Sequence, residues 1–185
     1  MGLAIARAAI AAGHSATLIT TIRNSEFGIR NSELKIVCVE SAAEMFEAVK
    51  KHFPRCDCLV MAAAVADYAP EKKSKIKIKK FKRVLSLKLK PTVDILAWAG
   101  KNKRKNQHVC GFSLDDRNLR ANAEKKLREK EIDMIIANPP AVIGSPRCRL
   151  WVKEVGGKWL PMAETMKRTA AARLIRIIEQ STQAE

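Results

Sequence analysis

The chain has 185 residues, enough for one domain with a sizeable core. Its 35 Lys and Arg against 19 Asp and Glu leave a net charge of +16, which implies an anionic partner: nucleic acid, an acidic membrane surface or a phosphorylated small molecule. Aromatic residues make up only 5%, and no aromatic-rich platform accompanies the charge, which counts against a single-strand nucleic-acid binder. Cys38, Cys56, Cys58, Cys110 and Cys148 lack metal-ligand spacing, and His14, His52 and His108 are isolated. Neither a zinc site nor a disulfide framework follows, and the chain suits a reducing cytoplasm.

Met1 to Ala12 reads as a helix by its alanine and leucine, with Gly13 as the residue that ends it. It has no basic leader and is too short to cross a bilayer, so it is expected to be a buried core helix and not a membrane segment. His14 to Thr20 is a strand. Residues 22–35 hold a tandem heptad, Ile22 to Gly28 then Ile29 to Lys35, which reads as a repeat-like surface insertion over 21–35. Lys35 to Val39 is a strand, and Ser41 caps a helix running to Phe53, with Glu44 at the capping-box position. Cys58 to Ala66 reads as a buried apolar strand.

Beyond it the chain places Asp67, breaks at Pro70 and turns strongly basic through Lys72, Lys73, Lys75, Lys77, Lys79 and Lys80. An apolar strand that empties into a lysine-rich loop can present charge to a polyphosphate at the carboxyl edge of a sheet; the plainer alternative is a solvated basic loop. Leu85, Leu87 and Leu89 alternate with polar residues as in a half-buried strand. Val93 to Gly100 is a short helix, His108 to Phe112 a buried strand, Asn118 to Lys130 a charged helix and Asp133 to Ala137 another core strand. Arg149 to Val155 and Lys158 to Leu160 flank Gly156-Gly157 as a hairpin, and Glu164 to Glu179 is an amphipathic last helix. The order predicts an α/β fold: a Rossmann-like, doubly wound, mostly parallel sheet with a C-terminal β-hairpin. Such folds open on a central strand, and here the chain opens inside the following helix, so a first strand and its loop are expected to be missing.

AAAVADYAP at 62–70, KIKK at Lys77 to Lys80, VDILA at Val93 to Ala97, CGFSLD at Cys110 to Asp115 and the segment ending DMIIAN together resemble the phosphopantothenate–cysteine ligase family. In many bacteria that domain is the C-terminal half of a bifunctional coenzyme A biosynthesis flavoprotein. The resemblance covers the chain from Met1 to the last helix as a single domain, 1–185, with 21–35 foreign to it. It implies a ligation in which the carboxylate of 4′-phosphopantothenate attacks the α-phosphate of CTP, giving an acyl-cytidylate and pyrophosphate. The amine of L-cysteine then displaces CMP. It implies Mg²⁺ with the nucleotide, a homodimer, a cytoplasmic enzyme, and neither nucleic acid nor membrane as partner.

By the same resemblance, Met61, Ala62 and Ala63 lie where the nucleotide docks, and Asp67 accepts from a ribose hydroxyl or base amine. A turn-forming aspartate is the plain alternative for Asp67. Lys77 matches the family's key lysine and would stabilise charge developing on the phosphates. Val93, Asp94, Ile95 and Leu96 correspond to a turn whose amides at a helix N-terminus can hold phosphate, although the usual proline is replaced by Val93 and Pro91 comes earlier. Phe112 would pack against the base or belong to the core. Lys126 and Lys130, spaced i,i+4 on one helix face, fall where the family binds triphosphate.

The family's N-terminal strand and two substrate loops are expected upstream of Met1, the decarboxylase half is not represented, and no FMN is expected. Asp115 stands where a longer acidic residue is usual. Two other classes stay open. One is a truncated, catalytically inactive nucleotide-binding remnant; the other is a basic nucleic-acid-binding protein, whose affinity would fall steeply with salt.

Overall fold

The computed structural model describes residues 1–22, 34–72, 74, 76–80, 84–140 and 144–183. Residues 23–33 of the repeat-like segment, and Lys73 and Lys75 of the basic stretch, lie outside them. The elements in order are α1 (Gly2–Ala11), β1 (Ala16–Thr20), β2 (Leu34–Cys38), α2 (Ala42–His52), β3 (Cys58–Met61), β4 (Tyr68–Pro70) and β5 (Leu89–Pro91). They continue with α3 (Ile95–Asn102), β6 (His108–Leu114), α4 (Leu119–Glu129), β7 (Met134–Asn138), β8 (Arg147–Glu154), β9 (Leu160–Met166) and α5 (Lys167–Gln183).

A five-stranded sheet runs β3-β6-β7-β8-β9, parallel from β3 to β7 and antiparallel through the last hairpin. β1 and β2 form a separate parallel pair. Helices cover both faces, as the doubly wound reading requires. On one face α2, α3 and α4 bury Met45, Val49, Leu96, Ala99 and Leu127 against Val109 and Ile135. On the other, α1 and α5 bury Ile5, Leu174 and Ile178 against Cys110, Met134 and Ile136. The central strands are apolar on both sides because both sides meet a helix; β7 is buried at every residue. Among the described residues no helix is long and apolar enough to cross a membrane.

Local signals account for several boundaries. Gly13 ends α1 at φ +90°, a conformation that suits glycine. Ser41 caps α2 by accepting from the Glu44 amide at 3.3 Å, and the Glu44 carboxylate reaches back to Ser41 Oγ and to the Glu40 amide. Gly156, at φ +72°, turns the β8–β9 hairpin.

Five expectations are corrected. The strand expected over Cys58 to Ala66 stops at Met61, and Ala63, Ala64 and Ala66 are exposed. Beyond Met61 the next residues of β6 pair only with β7, and short alanine side chains gain little from burial. The leucines at 85, 87 and 89 are exposed instead of half-buried; only Leu89 enters a strand, in a two-stranded antiparallel ribbon of β4 with β5. The strand expected over Lys35 to Val39 runs instead from Leu34 to Cys38. The last helix starts at Lys167, not Glu164, because β9 continues to Met166, which pairs with Arg147. α1 buries only Ile5 and Ala6 and is a one-sided helix.

Candidate active site

The carboxyl ends of the parallel strands carry the polar chemistry. At the end of β6, Ser113 is fully buried, and its hydroxyl donates to Asp115 Oδ2 at 2.7 Å. Lys126 Nζ, reaching across from α4, donates to Ser113 Oγ at 3.3 Å and stands 3.9 Å from the Asp115 carboxylate. Asn122, one helical turn before Lys126, donates to Asp115 Oδ1 at 3.1 Å. The Lys126 ammonium is thus held by groups that are themselves fixed.

Lys130, one turn further on the same face of α4, pairs with both oxygens of Asp94 at 2.8 and 3.1 Å. Asp94 is the N-cap of α3 and accepts from the Ala97 amide at 3.0 Å. Close packing of α3 on the end of α4 makes the pair possible. A Cβ on Gly100 would overlap the Lys130 carbonyl oxygen, so only glycine lets the two backbones approach this closely. Partial burial opposes ionisation of Asp94, but the Lys130 ammonium and the Ala97 and Leu96 amides outweigh it and hold the carboxyl below its ordinary value. Asp94 therefore occupies the helix N-terminus whose amides were expected to hold phosphate.

Both lysine–carboxylate pairs are partly exposed, so each is worth about 0–1 kcal/mol. A polyphosphate, with more charge and more acceptor oxygens, can replace the carboxylates at small cost.

The other expected residues are distributed as follows. Met61 is buried at the end of β3, and Ala62 lies beside α1, 3.9 Å from where a Cβ on Gly2 would stand. Ala63 is exposed. Asp67 is exposed, and its carbonyl accepts from the Thr92 amide at 2.9 Å while the Thr92 hydroxyl donates to the Ala66 carbonyl at 2.6 Å. Thr92 thereby ties the exit of β3 to the entry of α3. Val93 is exposed, whereas Ile95 and Leu96 are buried. Phe112 is half-buried and packs against the α1–α5 cluster, on the opposite face of β6 from Ser113. Lys77 is exposed on the excursion between β4 and β5 and makes no hydrogen bond or ion pair with the described residues. The structure joins Asp94 to Lys130 and, separately, Lys126 to Ser113 and Asp115, and shows no contact of Lys77 or Phe112 with either pair. Sequence reasoning missed Ser113, Asn122 and Thr92; the first lies within the CGFSLD motif, and the other two carried no local signal.

Residues 1–182 match the family described as DNA/pantothenate metabolism flavoprotein C-terminal domain. The chain belongs to this family. Among curated relatives, it is 37% identical, over 96% of its length, to a protein named cysteine/cysteine sulfinic acid decarboxylase from an unknown prokaryotic organism. It is 34% identical, again over 96% of its length, to the coenzyme A biosynthesis bifunctional protein CoaBC of Borreliella burgdorferi. It spans about half of each of these relatives, 50% and 45% respectively. A crystal structure of the C-terminal domain of CoaBC superposes with a TM-score of 0.80 at 29% identity, covering 100% of this chain and 83% of that one. The expected α/β architecture is thus that of the family.

Proposed function

We propose that this domain ligates 4′-phosphopantothenate to L-cysteine at the expense of CTP, as a step of coenzyme A biosynthesis. The observation that carries the reading is a family-type sheet with two lysines on α4, Lys126 and Lys130, each held by a partly exposed, exchangeable carboxylate. Catalysis of this kind rests on positioning and on cations around a triphosphate. The phosphopantothenate carboxylate oxygen bonds to the α-phosphorus as the bond to the bridging oxygen breaks and pyrophosphate leaves. The cysteine amine then attacks the acyl carbon, loses a proton, and CMP departs with the bonding electrons. Lys126 and Lys130 hold the triphosphate, Met61 to Ala63 and Asp67 flank the nucleotide, and Lys77 stabilises charge on the reacting phosphate.

Mg²⁺ would arrive on the triphosphate, as this ion is usually bound through substrate phosphates. The free cysteines fit a cytoplasmic enzyme.

A homodimer belongs to the same reading. The excursion from β4 to β5 exposes Tyr68, Ile76, Ile78, Leu85, Leu87 and Val84, the last at 95%. Large apolar side chains exposed in such number along one segment point to an interaction site. A second copy laid against it would cover the leucines and carry Lys77 towards the partner's nucleotide, which accounts for an exposed lysine with no hydrogen-bond or ion-pair partner among the described residues.

The test is pyrophosphate release from CTP and Mg²⁺ with 4′-phosphopantothenate, with and without cysteine. Release that requires phosphopantothenate is expected, and Lys77→Ala should abolish it without loss of fold. Bound CTP without release would favour the inactive remnant, and binding that ignores CTP and collapses with salt would favour a nucleic-acid binder.

A further inference from the structure

Ser113 stands out of place in the wall that β6 presents to α4. Val109 and Gly111 precede it on that face, Ala137 pairs with it from β7, and α4 buries Ala123 and Leu127 against the same cluster. Ser113 itself is 0% exposed, and a hydroxyl withdrawn from water costs free energy unless it is bonded. Its bonds run in one direction. The single hydroxyl hydrogen goes to Asp115 Oδ2 at 2.7 Å, since a carboxylate only accepts. An oxygen lone pair is left for Lys126 Nζ, which donates to it at 3.3 Å. Asp115 stays 3.9 Å from that ammonium, outside hydrogen-bond range, and Asn122 anchors its other oxygen at 3.1 Å. The carboxylate therefore acts on Lys126 through the serine.

Lys130 is held differently, directly by both oxygens of Asp94 at 2.8 and 3.1 Å. Lys126 gives Ser113 one of its three N–H groups, and the others have no hydrogen-bond partner among the described residues. We propose that Ser113 is a positioning residue for Lys126, its buried hydroxyl carrying the pull of Asp115 to an ammonium that keeps donors free for a polyanion. A ligand then meets Lys126 already in place, whereas Lys130 must first leave Asp94. What Lys126 meets rests on the ligase reading; how it is held does not.

The test compares wild type, Ser113→Ala, and Ser113→Ala combined with Asp115→Glu. Glutamate adds one methylene, about 1.5 Å of bond, and can cross the 3.9 Å gap to Lys126 without the serine. Nuclear magnetic resonance of the lysine ammonium, assigned with Lys126→Met, reads hydrogen exchange at Nζ. Calorimetric titration with CTP and Mg²⁺, and with inorganic tripolyphosphate, reads affinity. Ser113→Ala should speed exchange by about tenfold and weaken both ligands by about tenfold, the worth of one charge-assisted hydrogen bond; the double variant should recover both. Unchanged exchange in Ser113→Ala would overturn the proposal. So would a lower Tm with unchanged dissociation constants, the mark of a serine that only supports the fold, and so would a double variant that recovers neither. A wild type that binds neither CTP nor tripolyphosphate would sink the ligase reading, and ammonium exchange alone would then decide the positioning role.

Discussion

Asp94 does two things at once, and its replacement by alanine and by asparagine separates them. Its carboxylate caps α3 through Ala97 and pairs with Lys130. Alanine removes both, losing about 1 kcal/mol for the cap. It also loses about 0–1 kcal/mol for the ion pair, discounted because the Asp94 side chain is 51% exposed. Asparagine keeps an acceptor for the cap and loses only the pair. For a domain of this size 1 kcal/mol moves Tm by roughly 2–4 °C, so Asp94→Ala should lower Tm by about 2–8 °C and Asp94→Asn by about 0–4 °C. The sign of the pH dependence follows from the lowered pKa of Asp94. Its electrostatic contribution is present above the unfolded pKa, about 3.9, and is lost as pH falls through the lower folded value. Wild type and Asp94→Asn should therefore converge in acid while Asp94→Ala stays below both. Scanning calorimetry of the three proteins from pH 7 to pH 2.5 decides it. Equal losses for Asn and Ala would refute the capping role, and a wild-type advantage over Asn that survives into acid would refute the ion pair.

The other predictions concern packing, cations and the exposed arm. Gly100→Ala gains about 1 kcal/mol of helix propensity but drives a methyl group into the Lys130 carbonyl; overpacking wins. Urea unfolding should show a net loss of about 1 kcal/mol or more, and calorimetric titration should show weaker CTP binding. Lys126→Met and Lys130→Met should each lower kcat/KM for pyrophosphate release by roughly 10²-fold while moving Tm little; unchanged kinetics would take that lysine out of the site. Leu87→Glu, on the exposed arm, should shift light-scattering mass from dimer to monomer with the protomer still folded. A mass unchanged by that variant would place the interface elsewhere.

What the sequence conveyed about the fold, and what it withheld, divides by the range of the interactions. The α2 cap, the Gly13 stop and the Gly156 turn are each decided within a few residues, and each was readable. The leucine alternation at 85–89 was also real, but alternation only says that two faces differ. Whether either finds a core depends on what the chain brings beneath it, and the described residues bring nothing there. The pairing of Tyr68 with Pro91 joins residues too far apart in sequence for any window to see. The run of alanines at 62–66 failed for a different reason: apolar letters were counted, whereas burial is driven by area, and alanine offers little.

The site divides in the same way. The i,i+4 spacing of Lys126 and Lys130 placed both on one face of a helix before any coordinates, and the structure sets Lys126 against Asp115 and Lys130 against Asp94. Their state was not legible, because it is set by Asp115 and Asp94, which reach them only through tertiary contacts. The net charge of +16 already subtracts Asp94 and Asp115, but it does not say that they sit against these two ammoniums. An anion that binds here gains only the difference between its own attraction and that of a partly exposed carboxylate. The sequence supplies the cations; the fold decides which anions are strong enough to take them.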